Sequence, residues 1–172
     1  MDAESIKSSV LAFMEQHQLL AEPIVFALGF AEGIPVLSLF APSSMLFLAI
    51  GSAQGASGGS LWTLWLSGAA GAVLGDCVTY AIGRYFKDQA KYIWPFSRHP
   101  ERMAQGHALF EQWGAGVVLG GKFLGFLRPI VPVIAGILEM PVLLFLIASV
   151  ASSLLWAGAF LAPGWGLGSL FD

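Results

Sequence analysis

Apolar residues run through this chain in long blocks, and the polar positions that interrupt them mark out its elements. From Leu61 to about Tyr85 the run is nearly continuous, which meets the roughly 20 mostly apolar residues that a membrane span requires. Trp62 and Trp65 mark one interface of that span and Tyr85 the other. Val142–Leu161 reads as a second full span, carrying Ser149, Ser152, Ser153 and Trp156, with Ala162-Pro-Gly-Trp-Gly-Leu-Gly168 ending it. Residues 24–50 are as apolar but are broken by Glu32-Gly33, Pro35 and Pro42. Length without continuity predicts two half-helices, roughly 23–31 and 43–53, meeting at a bend inside the membrane. Residues 114–138 repeat the pattern, entered through Gly114 and Gly116 and interrupted by Lys122, Arg128, Pro129 and Pro132.

The remaining segments are more polar. Residues 5–20 place Ile6, Val10, Phe13, Met14 and His17 at three- and four-residue steps, the pattern of an amphipathic helix lying on the membrane surface. Pro100 opens a second short amphipathic helix with Met103, Phe110 and Trp113 on one side. Residues 84–102 carry Arg84, Lys87, Lys91, Arg98 and Arg102 against Asp88 and Glu101, so the positive-inside rule places this connection in the cytoplasm.

Composition fits the pattern. Of 172 residues, 56% are hydrophobic and 11% charged, against about 25% charged in a soluble domain. A net charge of −3 argues against a nucleic-acid partner, whose footprint is a basic patch. Cys77 is the single cysteine, so neither an intramolecular disulfide nor a cysteine-rich metal site can form, and His17, His99 and His107 lack the spacing to share a metal. No metal and no cofactor are expected. The N-terminus lacks the basic start and immediate apolar run of a signal peptide.

The predicted fold is therefore an all-α integral membrane protein, one domain over residues 1–172, with interfacial amphipathic helices. Each half, about 23–85 and about 114–168, joins a re-entrant hairpin to a transmembrane helix. One span lies between the hairpins, so they enter from opposite faces as an inverted repeat, the arrangement in which transporters hold substrate at the repeat interface.

Charge at membrane depth is expensive and is normally turned to a cavity or a partner. Lys122 and Arg128 are thus candidate ligands for something anionic. Ser43 and Ser44, following Pro42, would open a half-helix whose free N–H groups also favour an anion. Glu32 is either a proton-carrying group or the counter-ion of Lys122 or Arg128. Asp76, in series with Tyr80 and Arg84, is either a second protonatable site or a structural anchor, the anchor being favoured. Ser67, Gly71, Gly75, Thr79 and Gly83 recur at four-residue steps and predict close helix packing. No Ser-x-Ser-Gly-His or His-Glu-x-x-His pattern occurs, so an enzyme is not expected.

Several of these pieces resemble the DedA family, also called the VTT or SNARE-associated domain. They are Phe30-Ala-Glu32 with Pro35 and Pro42-Ser-Ser, Gly75-Asp-Cys-Val-Thr-Tyr-Ala-Ile-Gly-Arg84, Gly121-Lys-Phe-Leu-Gly-Phe-Leu-Arg-Pro-Ile-Val-Pro-Val-Ile-Ala-Gly136, and Trp156 with Pro163-Gly-Trp-Gly. The resemblance implies a multi-pass protein of the bacterial inner membrane that moves undecaprenyl phosphate or a phospholipid across the bilayer, linked in some members to the proton gradient. The family's acidic position falls on Glu32 and its paired basic positions on Lys122 and Arg128. A further family acid is replaced by Ser44, the first basic position is usually Arg rather than Lys122, and a common Pro is Gly125. The end after Pro163-Gly-Trp-Gly is similar to members that continue into a phosphatase-type domain, which leaves open both a fused or partner lipid phosphatase and whether the chain is truncated. Homo-oligomerisation stays open. The alternative function is a proton- or ion-coupled carrier of a small soluble solute.

Overall fold

The protein's computed structural model describes residues 18–38, 43–87, 89, 108, 110, 112–123 and 128–169. Among them the chain is entirely helical: α1 (Gln18–Glu32), the single turn α2 (Pro35–Ser38), α3 (Ser43–Ala56), α4 (Leu61–Tyr85), α5 (Ala115–Gly121), α6 (Ile130–Ile137) and α7 (Val142–Gly168). The amphipathic segment expected over 5–20 and most of the basic connection 84–102 lie outside the described residues, as does Pro42.

Two helices, α4 and α7, are long and apolar enough to cross a bilayer. α4 follows the predicted span, and Gly58 at φ +67° makes the turn into it, a conformation that glycine adopts without strain. α7 runs two turns beyond the expected end at Leu161 and contains Pro163. Proline costs an intrahelical hydrogen bond, and close packing on α3 holds the helix together there. A Cβ at Gly51 would lie 2.6 Å from the Leu161 carbonyl oxygen, and Gly164 and Gly168 sit against the backbones of Leu48 and Ser52.

The interruptions fall where expected, with one correction of detail. Pro129 is the N-cap of α6 and Pro132 its third residue. Both therefore begin that helix rather than break it, because a first-turn proline lacks only an N–H that has no partner inside the helix. Pro35 likewise begins α2.

The short helices pack on the long ones in an exchanged pattern. α1 lies along α4 and α3 along α7, while α5 lies along α7 and α6 along α4; α4 and α7 also pack on each other. Glycines permit this closeness: a Cβ at Gly29 would come within 2.5 Å of the Gly68 carbonyl oxygen, Gly71 and Gly75 face the backbones of Phe26 and Phe30, and Gly83 faces that of Val133.

Burial is inverted relative to a soluble protein. Large apolar side chains such as Met45, Trp62, Ile147 and Leu143 point outward, while Ser149, Ser152 and Ser153 are fully buried. The apolar core is split in two. One cluster gathers Val25, Phe47, Leu64, Trp156 and Leu161; the other gathers Tyr80, Val118, Val131, Ala135 and Phe145. Between them, along both long helices, lies a polar stratum.

Candidate functional site

That stratum contains four buried ionisable residues in two ion pairs. Asp76 sits about 23 Å and about 14 Å from the two ends of α4 at 1.5 Å per residue. It is 2% exposed, Lys122 5%, Arg128 6% and Glu32 7%, so each charge needs its partner.

The first pair joins α4 to the end of α5. Lys122 caps α5 and donates its Nζ protons to Asp76 Oδ2 and to the Ser153 hydroxyl of α7. Ser149 Oγ donates to the same carboxylate oxygen at 2.6 Å, and Ser152 Oγ donates to the Ser149 carbonyl at 3.0 Å. Serine repeating at three- and four-residue steps puts all three hydroxyls on one face of α7. Asp76 Oδ1 has no hydrogen-bond partner among the described residues.

The second pair joins the end of α1 to the residue before Pro129. Arg128 pairs with Glu32, and its guanidinium carbon lies 3.6 Å from the centroid of the Trp156 ring. Arginine over an indole face is a favourable cation–π geometry. Phe47 meets the same ring edge-on at 4.7 Å. Arg128 Nε and Nη2 have no hydrogen-bond partner among the described residues.

The two pairs are neighbours. Thr79 Oγ1 donates to the Gly33 carbonyl at 2.7 Å, and a Cβ on Gly33 would lie 2.7 Å from the Asp76 amide nitrogen. The chain just after Glu32 therefore lies against the α4 backbone at Gly75 and Asp76. Ser153 and Trp156, which touch Lys122 and Arg128, are three positions apart on α7, about 5 Å along its axis.

Of the site residues expected from sequence, Glu32, Asp76, Lys122 and Arg128 lie in this stratum, and Gly71, Gly75 and Gly83 lie at helix contacts. Ser43 and Ser44 open α3, but their side chains lie outside the described residues. Of the two counter-ion assignments left open for Glu32, the pairing is with Arg128, and Lys122 is held by Asp76. Sequence reasoning gave no role to Ser149, Ser153 or Trp156. The visible signal was hydroxyls at helical spacing in an otherwise apolar span.

A model of the VTT domain matches residues 34–166, more than three quarters of the chain. The chain belongs to the VTT-domain family. The match includes Asp76, Lys122, Arg128 and Trp156 and begins two residues after Glu32. Among family relatives, the Inner membrane protein YabI of Escherichia coli is 30% identical over 162 residues, 93% of this chain and 63% of that protein. An uncharacterized membrane protein of Buchnera aphidicola is 25% identical over 159 residues, 92% of this chain and 62% of that one. An uncharacterized membrane protein of Mycobacterium tuberculosis is 29% identical over 164 residues, 92% of this chain and 71% of its own length. The chain thus spans just under two thirds of the first two relatives. No solved structure matches it. With the family, the two long apolar helices and the inverted burial agree: this is a membrane protein.

Proposed function

We propose that this protein is a translocase for a lipid with an anionic, phosphate-bearing head, undecaprenyl phosphate or a phospholipid, in the bacterial inner membrane. The observation that carries the reading is Arg128: a buried guanidinium stacked on Trp156, with Nε and Nη2 unpartnered among the described residues and a second cation, Lys122, in the neighbouring pair. Guanidinium offers two parallel N–H donors that match phosphate oxygens, and such charge-assisted bonds are about twice as strong as neutral ones.

Each cation is already neutralised by a carboxylate, which makes the site self-competing. A phosphate head must displace Glu32 from Arg128 or wait until a proton does so. Protonating Glu32 removes its charge and frees the guanidinium for the phosphate; losing the proton reverses the exchange. The hydrocarbon part stays in the bilayer and only the head crosses the polar stratum. The exchanged packing of short on long helices supports an inverted repeat of two re-entrant hairpins, with α1 and α3 answering to α5 and α6. The protein acts here as a carrier, without chemistry on the lipid.

The test is flipping of labelled undecaprenyl phosphate in liposomes holding the purified protein. Wild type is expected to move the label, and Arg128→Ala to lose most of that activity. Equal rates for the two would overturn the role given to Arg128. Substrate-dependent proton flux without lipid movement would instead assign the protein as a carrier of a small solute.

A further inference from the structure

Lys122 and Arg128 are held in place by different means. Lys122 commits two of its three Nζ donors, to Asp76 Oδ2 and to the Ser153 hydroxyl. Arg128 turns one end, Nη1, to Glu32, while the Trp156 ring lies on its face, 3.6 Å from guanidinium carbon to ring centroid. An aromatic face attracts a cation through its quadrupole and takes up none of the in-plane N–H donors. The stack therefore fixes the guanidinium plane and leaves its edge to hydrogen-bond elsewhere. Nε and Nη2, the two nitrogens without a partner among the described residues, share one side of that edge. Their N–H groups point the same way and form a fork that matches two oxygens of one phosphate.

The ring is itself pinned. Trp156 is buried, and the fully buried Phe47 of α3 meets it edge-on. A Cβ on Gly68 of α4 would lie 2.9 Å from the Phe47 ring, so Phe47 is wedged in turn. An indole on α7 is thus held against movement by two other helices.

We infer that Trp156 is the positioning residue of the anion site: it holds the Arg128 guanidinium by its face while Glu32 is exchanged for an anionic head. The inference rests on the translocase reading for that exchange. When Glu32 lets go, a buried guanidinium is left without its counter-charge, which is costly unless something still stabilises the cation. A carboxylate in the place of Trp156 would compete with the incoming head, and an aliphatic side chain would pack without attracting the charge. The indole face does neither, so the contact persists through the exchange. The same contrast separates the two cations: Lys122 is fixed through its donors, and Arg128 is the one whose donors receive the ligand.

The experiment measures equilibrium binding of tritiated farnesyl phosphate to the full chain in phosphatidylcholine nanodiscs, above that of empty discs. Trp156→Leu removes the aromatic face and is expected to weaken binding about tenfold, the order of a desolvated cation–π contact. Trp156→Phe keeps a face and should recover most of that loss. Phe145→Leu removes a buried aromatic from the other apolar cluster; it should lower the melting temperature and leave affinity unchanged. A second readout is fluorine NMR of wild type carrying 5-fluorotryptophan at its six tryptophans. The Trp156 resonance, assigned by its loss in Trp156→Phe, should move on adding farnesyl phosphate, stay still on adding farnesol, and stay still with either in Arg128→Ala. This readout holds even where Trp156→Leu does not fold.

Wild-type affinity in Trp156→Leu, equal losses in Trp156→Leu and Trp156→Phe, or a Trp156 resonance that ignores bound farnesyl phosphate overturns the positioning role. If Arg128→Ala still abolishes binding in those cases, the translocase reading stands. If inorganic phosphate moves the Trp156 resonance in an Arg128-dependent way and farnesyl phosphate does not bind, the positioning role stands and the lipid reading falls. Binding of neither probe overturns both.

Discussion

Asp76 and Lys122 illustrate how a single residue is held at membrane depth. Each alone would be an uncompensated charge, yet Lys122 Nζ neutralises the carboxylate through Oδ2, to which Ser149 also donates, and the Ser153 hydroxyl accepts from Nζ. Removing one partner from a buried pair costs about 3–5 kcal/mol, whereas replacing both by apolar groups is often neutral. Asp76→Ala is thus expected to lower stability in detergent by that amount, and adding Lys122→Met should recover most of it. A double-mutant cycle read by thermal or denaturant unfolding checks this; additive losses would show that the pair is not coupled. Another residue-scale device lies outside the spanning helices. Glu139 closes α6 with φ at +54° and carries a salt bridge to Lys87 Nζ at 2.8 Å. The hydrogen bond and charge of Lys87 hold the Glu139 carboxyl below its ordinary value. A depressed carboxyl stabilises the fold above its unfolded value of about 4.3 and loses that contribution as pH falls through the folded value. Glu139→Gln should therefore lower the melting temperature slightly at neutral pH and low salt, and the difference from wild type should vanish under strongly acid conditions. The effect is small because the pair is solvent-exposed and screened.

At the scale of elements, glycine position decides how closely helices approach. Gly164 and Gly168 of α7 face backbone atoms of α3, whereas Gly166, on the same helix, meets nothing within 4 Å. Gly71 similarly meets the backbone of α1 at Phe26. A valine at Gly71 or Gly164 would force paired helices apart, with overpacking costs of about 1–3 kcal/mol. Gly166→Ala should instead be neutral or stabilise by up to about 1 kcal/mol, because alanine is the better helix former. Unfolding of the three variants in one detergent separates the cases, and equal effects at Gly164 and Gly166 would contradict the packing described. Periodicity made these elements legible. The run from Leu61 to Tyr85 could be read directly, because an unbroken apolar block admits one interpretation. The end of α7 was not legible: Pro-Gly-Trp-Gly is a local stop signal, and only packing against α3 overrides it.

For the whole molecule, the decisive arrangement is the polar stratum between two apolar clusters, crossed by both long helices. The sequence by itself determined that the chain belongs in a membrane, that two spans are continuous and two segments are broken, and that Glu32, Asp76, Lys122 and Arg128 need partners. These follow from composition, run length and the cost of bare charge, all of which are local properties. It could not determine who pairs with whom. Asp76 meets Lys122 across 46 intervening steps of chain, and Arg128 reaches Glu32 only because α1 lies on α4 beside it. Pairing of that kind depends on helix crossings set by where glycines admit another backbone. Tertiary structure alone decided it, because close approach is a property of two surfaces together and neither surface specifies it alone.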